Sequence, residues 1–445
     1  MEFAGKRIAV FGLAKSGLAT VELLARKGAE VVACDAKPLD QLQGVAEFLR
    51  EHGARFALQG REAMDGVEMA VLSPGVRPDQ EIFDEARHRG VEVTGDVELA
   101  CRFLRGPVMG ITGSNGKTTV TALCGHLLNE CGIPVQVGGN IGNQAVASMI
   151  ETSRDEQWNV LELSSFQTEM FRNTRVHIGL ALNVTPDHLD RHHTIEEYAA
   201  AKLNMFAGQR PGDHAVLNAE NEITRSWAHR VPGRVHWFNA GGREDDGCWL
   251  DGSNLMAGDE AWMPVSEVGL RGRHNLENVL AAGCGCALAG APLDGMRAAV
   301  ASFPGVEHRI EFVRTLNGVD YFNDSKATNV DATIKALESF GHGLWVILGG
   351  KDKDSDYRPL RPLLASRARA ALLIGAAAAK IESQIAGAVR IEQCGDLQAA
   401  VALARAQAST GDTVLLAPAC ASFDQFSSYE HRGRVFKDQV RELEG

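Results

Sequence analysis

The chain has 445 residues, 23% charged and 45% hydrophobic, with 45 lysines and arginines against 57 aspartates and glutamates, a formal net charge of −12. An acidic balance argues against a broad nucleic-acid footprint, which needs clustered positive charge, and no apolar run approaches the ~20 residues that span a bilayer. The nine cysteines contain no CxxC pair, so reduced thiols are expected, in a soluble, cytoplasmic, monomeric protein of about three domains at ~150 residues each, with neither a nucleic-acid nor a membrane partner.

The run over 6–11 (KRIAVF) reads as a first strand and not as a signal peptide. It turns at Gly12 and continues as an Ala/Leu-rich helix over about 16–27, followed by a second strand over 30–35. Strand, glycine turn, helix, strand is a βαβ unit and implies a parallel sheet. An apolar strand over 67–72 leads into the tight loop LSPGVRP, and this block closes near Arg105. The second block restarts at Pro107 with a strand over 108–111, a glycine-rich turn and a helix from Lys117. Further strands are expected over 159–163 and 178–184, and the block ends near Phe303-Pro304-Gly305. Between about 240 and 272 the chain is rich in Gly, Asp and Trp, which predicts a short β excursion. The third block alternates strands over 344–348, 370–374 and 413–417 with helices such as 396–408. The expected architecture is α/β in three domains, 1–105, 106–305 and 306–445.

The strongest chemical signal is GITGSNGKTT, residues 110–119, set between a strand and a helix. A phosphate needs backbone N–H groups, a lysine for its terminal oxygens and a hydroxyl for Mg²⁺, and the helix N-terminus adds its dipole. The strict P-loop spacing asks for glycine where Ile111 stands. Even so, the strand–helix context favours ATP or GTP over a plain surface turn. Glu162 closes an apolar strand, where a carboxylate can lean over a phosphate site or simply be a half-exposed strand end. The cluster NVTPDHLDRHH, residues 183–193, matches no closed zinc template, so a metal site and a solvated loop stand equal there. Lys202 lies in a helical stretch, where a lone lysine is ordinarily at the surface.

In the first block Gly12-Leu-Ala14-Lys-Ser-Gly17 is G-x-A-x-x-G, with alanine where a pyrophosphate's closest approach asks for glycine. Asp35 could take a ribose hydroxyl and Lys37 a phosphate; NAD, a mononucleotide diphosphate and a ligand-free turn all stay open. The third block offers YFNDSKATN (321–329), LGGKDK (348–353) and PACASFD (418–424) at strand ends. Polar and cationic groups gathered on that edge of an α/β sheet suit an anionic ligand.

Taken together, GITGSNGKTT, ELSSFQTE, NVTPDHLDRH, GRHNLENVLAA, NDSKATN and LAPACASFDQF resemble the Mur ligase family over the whole chain, and within it the members that add D-glutamate. The resemblance implies a Rossmann-like N-terminal domain, a central P-loop-type ATPase domain with a mostly parallel sheet, and a Rossmann-like C-terminal domain. It further implies ATP-dependent amide formation between UDP-N-acetylmuramoyl-L-alanine and D-glutamate, through an acyl phosphate and with two Mg²⁺ ions, in peptidoglycan synthesis. Carried onto this sequence, the sugar nucleotide would meet Gly12, Ala14, Lys15, Ser16, Gly17, Asp35, Ala36, Lys37, Ser73, Pro74, Gly75 and Asn140. ATP would meet Gly113, Ser114, Asn115, Gly116, Lys117, Thr118, Thr119, Asn278, Arg309 and Asp324. Thr118, Glu162, His188 and, if carbamylated, Lys202 would hold metal, with Lys117, His188 and Lys202 as the catalytic set. D-Glutamate would meet Thr328, Lys353, Ser422 and Tyr429, with Lys351 competing for the role of Lys353. Two rivals remain: a related amide ligase acting on another amino acid or on folate, and a nucleotide-dependent switch. NDSKATN and PACASFDQF favour D-glutamate over the first, and Ala14 weighs against a dinucleotide in the second.

Overall fold

The structure, a computed structural model, describes residues 3–142, 144–244 and 246–444. Its first sheet contains β1 (Arg7–Phe11), β2 (Glu30–Asp35), β3 (Arg55–Leu58), β4 (Met69–Leu72) and β5 (Glu92–Gly95), in the order β3-β2-β1-β4-β5. Every pairing is parallel. Ile8, Val10 and Val71 pack with Val21 and Leu24 of the helix Lys15–Arg26 on one face, and Ala9, Phe11 and Ala70 pack with Phe83 and Ala86 on the other. Burial on both faces is why these strands read as continuous apolar runs.

The second sheet contains β6 (Val108–Thr112), β7 (Val135–Gly139), β8 (Trp158–Glu162), β9 (Ile178–Ala181), β10 (His214–Asn218) and β11 (Arg234–Asn239). It continues into β12 (Gly247–Asp251), β13 (Asn254–Ala257) and β14 (Glu260–Pro264), in the order β14-β13-β12-β11-β10-β9-β6-β8-β7. Strands β6 to β12 are parallel, and β12-β13-β14 is an antiparallel meander. The expected short β excursion is therefore an extension of the central sheet by three strands. β6 lies between β8 and β9, so the chain order reverses around it. In open α/β sheets the crevice at the carboxyl ends of such strands is where ligands bind.

The third sheet runs β15-β16-β20-β17-β18-β19, from β15 (Glu311–Leu316), β16 (Val319–Asn323), β17 (Leu344–Gly349), β18 (Ala368–Ile374), β19 (Arg390–Gly395) and β20 (Thr413–Leu416). Only β15 is antiparallel to its neighbour. The chain forms two compact units: residues up to Glu267 with Asn278–Ser302, and Val268–Glu277 with residues from Phe303 on. The first two sheets belong to one unit and the third to the other.

Some bounds differ from expectation for local reasons. β9 stops at Ala181 because Asn183 turns its amide onto the neighbouring loop, where Oδ1 accepts from Asn115 N at 2.9 Å. The helix expected over 396–408 is Leu397–Gln407, with Asp396 outside it as a cap whose Oδ1 accepts from Ala399 N at 2.8 Å. All nine cysteines are free thiols, buried or half-buried. Among the described residues no helix is long and apolar enough to cross a membrane.

Candidate active site

β6 ends at Thr112 and the helix Lys117–Glu130 begins five residues later, so residues 113–116 form a loop at that helix's N-terminus. Gly116 has φ +87°, and a Cβ there would stand 2.5 Å from Asn278 Oδ1. Only glycine lets the loop pass under Asn278 in this left-handed conformation. Ser114 N donates to Asn183 O at 2.9 Å, and Thr185 N donates to Ser114 Oγ at 2.9 Å, which fixes the loop on the carboxyl end of β9. Lys117 Nζ folds back to Gly113 O at 2.7 Å and Ser114 O at 2.9 Å. A cation held on a tight loop at a helix N-terminus is an arrangement that suits a polyphosphate. Thr118 and Thr119, in the first helical turn, are buried.

Glu162 is the last residue of β8 and pairs in register with Ile111. It is buried, at 2% exposure. Asn140 Nδ2 donates to its Oε1 at 3.0 Å, while Oε2 is buried without a hydrogen-bond partner. A buried carboxylate oxygen left without a donor is costly unless a cation completes it. A carboxylate oxygen of this kind could hold a hard cation such as Mg²⁺. Asn140, expected on the sugar nucleotide, thus has its side-chain amide on Glu162.

His188 caps the short helix Leu189–His192 in the left-handed region, φ 53°, with its side chain 44% exposed. Its Nε2 lies 3.7 Å from Asp187 Oδ2 and its ring 4.9 Å from the Phe166 ring. His192 instead points inward: Nε2 lies 3.0 Å from Ser165 Oγ, and burial, with Arg191 and Lys202 adding repulsion, pulls it down to about 4. The lysine expected at the surface is not there: Lys202 is 1% exposed, and its Nζ donates to Gly113 O at 2.8 Å. The same nitrogen lies 4.4 Å over the Tyr198 ring. Burial holds this amine well below the ordinary lysine value, the Lys117 charge adds to that, and Asp187 opposes it. A shift in this direction favours the neutral amine, the form that reacts with an electrophile such as CO₂.

In the first sheet Asp35 serves its own loops: Oδ2 accepts from Leu13 N at 2.9 Å and Oδ1 from Lys37 N at 3.0 Å. Gly12, φ +87°, is packed so that a Cβ would meet Val76 Cγ2 at 2.9 Å, and Ser73 Oγ donates to Gly12 O at 2.8 Å. Residues 12–17, 35–37 and 73–75 therefore meet at the carboxyl ends of β1, β2 and β4. Ala14, Lys15, Ala36, Lys37 and Gly75 are exposed there, with Ser16 and Pro74 half-buried and Gly17 buried. Asp96, buried behind this turn and bonded to Ser16, is pushed up to about 6 by desolvation.

In the second unit Asp324 follows β16, accepts from Ile310 N at 3.3 Å through Oδ1, and is pushed up to about 6, mainly by burial. Arg309 is close enough for its charge to oppose that shift, and its own Nε is buried without a hydrogen-bond partner. Ser422 is buried, Thr328 and Tyr429 are half-buried, and Lys353 and Lys351 are both exposed. Sequence reasoning missed Arg432. Its guanidinium is wholly buried, donates from Nε to Ser325 Oγ at 3.0 Å and from Nη2 to Cys420 O at 3.2 Å, and so ties the NDSKATN loop to the PACAS loop. The available signal was its place on the helix Tyr429–Glu442, four and eight residues before the core side chains Phe436 and Val440.

The Mur ligase MurD-like N-terminal domain family matches residues 6–95, the Mur ligase middle domain 111–286, and the Mur ligase glutamate ligase domain 308–420. A UDP-N-acetylmuramoylalanine–D-glutamate ligase of Solibacter usitatus (strain Ellin6076) is 56% identical, covering 100% of this chain and 99% of its own. One of Koribacter versatilis (strain Ellin345) is 48% identical at the same coverage. A solved pseudomurein peptide ligase type C from Methanothermus fervidus shares the fold, with a TM-score of 0.61 at 15% identity over 99% of this chain and 100% of that one. The three family matches fall in order along the chain, one on each sheet, and with identity of this extent the chain belongs to the Mur ligase family.

Proposed function

We propose that the protein is a cytoplasmic, ATP-dependent ligase that joins D-glutamate to UDP-N-acetylmuramoyl-L-alanine in peptidoglycan precursor synthesis. The observation that carries this reading is a lysine-bearing loop at a helix N-terminus, with a buried, half-satisfied carboxylate on the adjacent strand, in a chain 56% identical throughout to a relative bearing that activity's name. In this reading the chain divides near residues 105 and 305 into sugar-nucleotide, ATP and amino-acid domains and acts as a monomer.

The chemistry follows from the substrates. The L-alanine carboxylate is a poor electrophile, and transfer of the γ-phosphoryl group makes it an acyl phosphate with a good leaving group. The amine of D-glutamate, once deprotonated, attacks the acyl carbon; the tetrahedral intermediate then expels phosphate and leaves the amide. Lys117 spreads the charge that develops on the phosphoryl oxygens, and the loop 113–116 with the helix N-terminus behind it receives the triphosphate. Thr118 and Glu162 would hold one Mg²⁺, and His188 with a carbamylated Lys202 a second. When bound, such ions neutralise phosphoryl charge and template the transfer. Residues 12–17, 35–37 and 73–75 anchor the sugar nucleotide in this reading, and Asn140, whose amide is on Glu162, is a further contact to it. Asn278, Arg309 and Asp324 complete the ATP contacts. Thr328, Ser422, Tyr429 and Lys353 receive D-glutamate. Orientation of bound reactants is worth ~7–11 kcal/mol, so much of the barrier is met by placement alone.

The test is incubation with ATP, Mg²⁺, UDP-N-acetylmuramoyl-L-alanine and either enantiomer of glutamate, with the product weighed by mass spectrometry. A D-glutamyl amide formed with stoichiometric phosphate release is expected. Nucleotide binding with no amide product would defeat the reading, and a product with another amino acid would move the chain to a different ligase specificity.

A further inference from the structure

We propose that Arg191 is a positioning residue that locks the loop 73–76 of the first sheet to the loop bearing His188, so that one long substrate is gripped at both ends with a fixed separation. The proposal rests on the sugar-nucleotide reading given above.

Arg191 lies three residues after His188, in the short helix Leu189–His192, and its side chain is 10% exposed. It ties its own loop to two other segments. Nη2 donates to Val76 O at 3.1 Å, across 115 residues of sequence. The same nitrogen pairs with the carboxylate of Glu169, and the guanidinium lies 4.9 Å over the Phe166 ring. Val76 closes its turn by donating its amide to Ser73 O at 2.9 Å, and its Cγ2 packs against Gly12. Glu169 and Phe166 lie on the segment that runs on from Glu162 through the capped helix Ser165–Thr168. One guanidinium therefore joins the nucleotide loop, the continuation of the candidate cation ligand and the His188 loop. A second, more exposed contact runs alongside, from Arg77 Nη2 to His193 Nε2 at 3.1 Å.

The residue type matters. Arg191 reaches Val76 O and Glu169 through Nη2 while its flat guanidinium lies over the Phe166 ring, and a shorter ammonium without a planar face does not reproduce all three contacts. A misplacement of about 1 Å far from the chemistry can cost ~10²-fold in rate, so the spacing of these loops bears directly on turnover.

UDP alone probes the nucleotide end, whereas the full sugar-peptide probes both ends. For Arg191→Ala we expect UDP binding by calorimetry and the KM for ATP to stay within about twofold of wild type, while kcat/KM for the full substrate falls ~10²-fold. Arg191→Lys, which keeps a charge opposite Glu169, should recover the melting temperature without recovering kcat/KM. Equal losses for UDP and the full substrate, or full recovery by lysine, would make the role structural and overturn the proposal. If Arg191→Ala does not fold, the lysine variant is judged by the same comparison of UDP with the full substrate. An active wild type with an indifferent variant would sink this proposal alone. A wild type that forms no amide would sink the functional reading and this proposal with it.

Discussion

Asn140 donates its side-chain amide to Oε1 of Glu162 at 3.0 Å, and the other oxygen of that carboxylate is buried with no partner. An amide in place of the carboxylate keeps the shape and removes the charge that a divalent ion would meet. Glu162→Gln should therefore fold as well as wild type, because the side-chain oxygen that accepts from Asn140 is kept. Amide formation should fall by ~10²-fold or more. Thermal shift with ATP present separates the causes: added Mg²⁺ should raise the wild-type midpoint and leave the variant nearly unmoved. An equal Mg²⁺ response in both proteins would remove Glu162 from the metal site.

Lys202 offers a test that does not depend on turnover. Its folded-state value lies well below the ordinary 10.5, chiefly through burial. Between those two values the unfolded chain binds the extra proton, so this residue's contribution to stability rises with pH across the window. Lys202→Met should thus gain stability over wild type most at neutral pH, and the gain should shrink as pH approaches 10.5. Urea midpoints of both proteins at pH 7 and pH 9.5, in CO₂-free buffer, measure this. A gain independent of pH would mean that packing, and not protonation, dominates the site.

The site was partly legible because its chemistry is local. Gly113 to Thr119 carries its own turn, cation and helix start within seven residues, so strand, loop and helix could be read from the letters alone. Burial is what the letters hid. Lys202 looked like a surface lysine because a helix does not announce which face is covered, and it proved 1% exposed. Arg191 looked like one cation in a polar loop, since its partner Val76 is 115 residues away and contributes only a backbone carbonyl. β3 (RFAL) and β5 (EVTG) are four-residue edge strands with mixed polarity, too short for a period-2 pattern to stand out. The β12–β14 meander was sensed as irregular β structure, but joining the central sheet is a long-range event that local propensity does not encode.

Gly116 sits at φ +87° with Asn278 Oδ1 where a Cβ would go. Alanine there costs about 1–2 kcal/mol for the left-handed backbone alone, and the clash pushes Asn278 aside as well. Gly116→Ala should lower the melting temperature by a few degrees and raise the KM for ATP by about tenfold, an effect of about 1.4 kcal/mol. Steady-state kinetics with ATP varied at saturating sugar nucleotide would show it. If the KM for ATP does not move, the 113–116 loop is not the phosphate cradle.

Asp324 makes the opposite pH prediction to Lys202. Burial pushes its carboxyl from 3.8 up to about 6, against the pull of Arg309. Between those values the native state holds the proton that the unfolded chain has already lost, so stability falls as pH rises through the window and stays low above it. The two-unit difference corresponds to about 3 kcal/mol at pH 8. Asp324→Asn cannot ionise and still offers an oxygen to Ile310 N. It should therefore be more stable than wild type at pH 8 and indistinguishable from it near pH 4. A protein that keeps a destabilising carboxylate has a use for the charge, and in the proposed mechanism that use is at the ATP contacts. Amide formation by Asp324→Asn should accordingly fall while its denaturation midpoint at pH 8 rises. A variant that gains stability and keeps full activity would show that Asp324 is only a buried acid, without a part in the reaction.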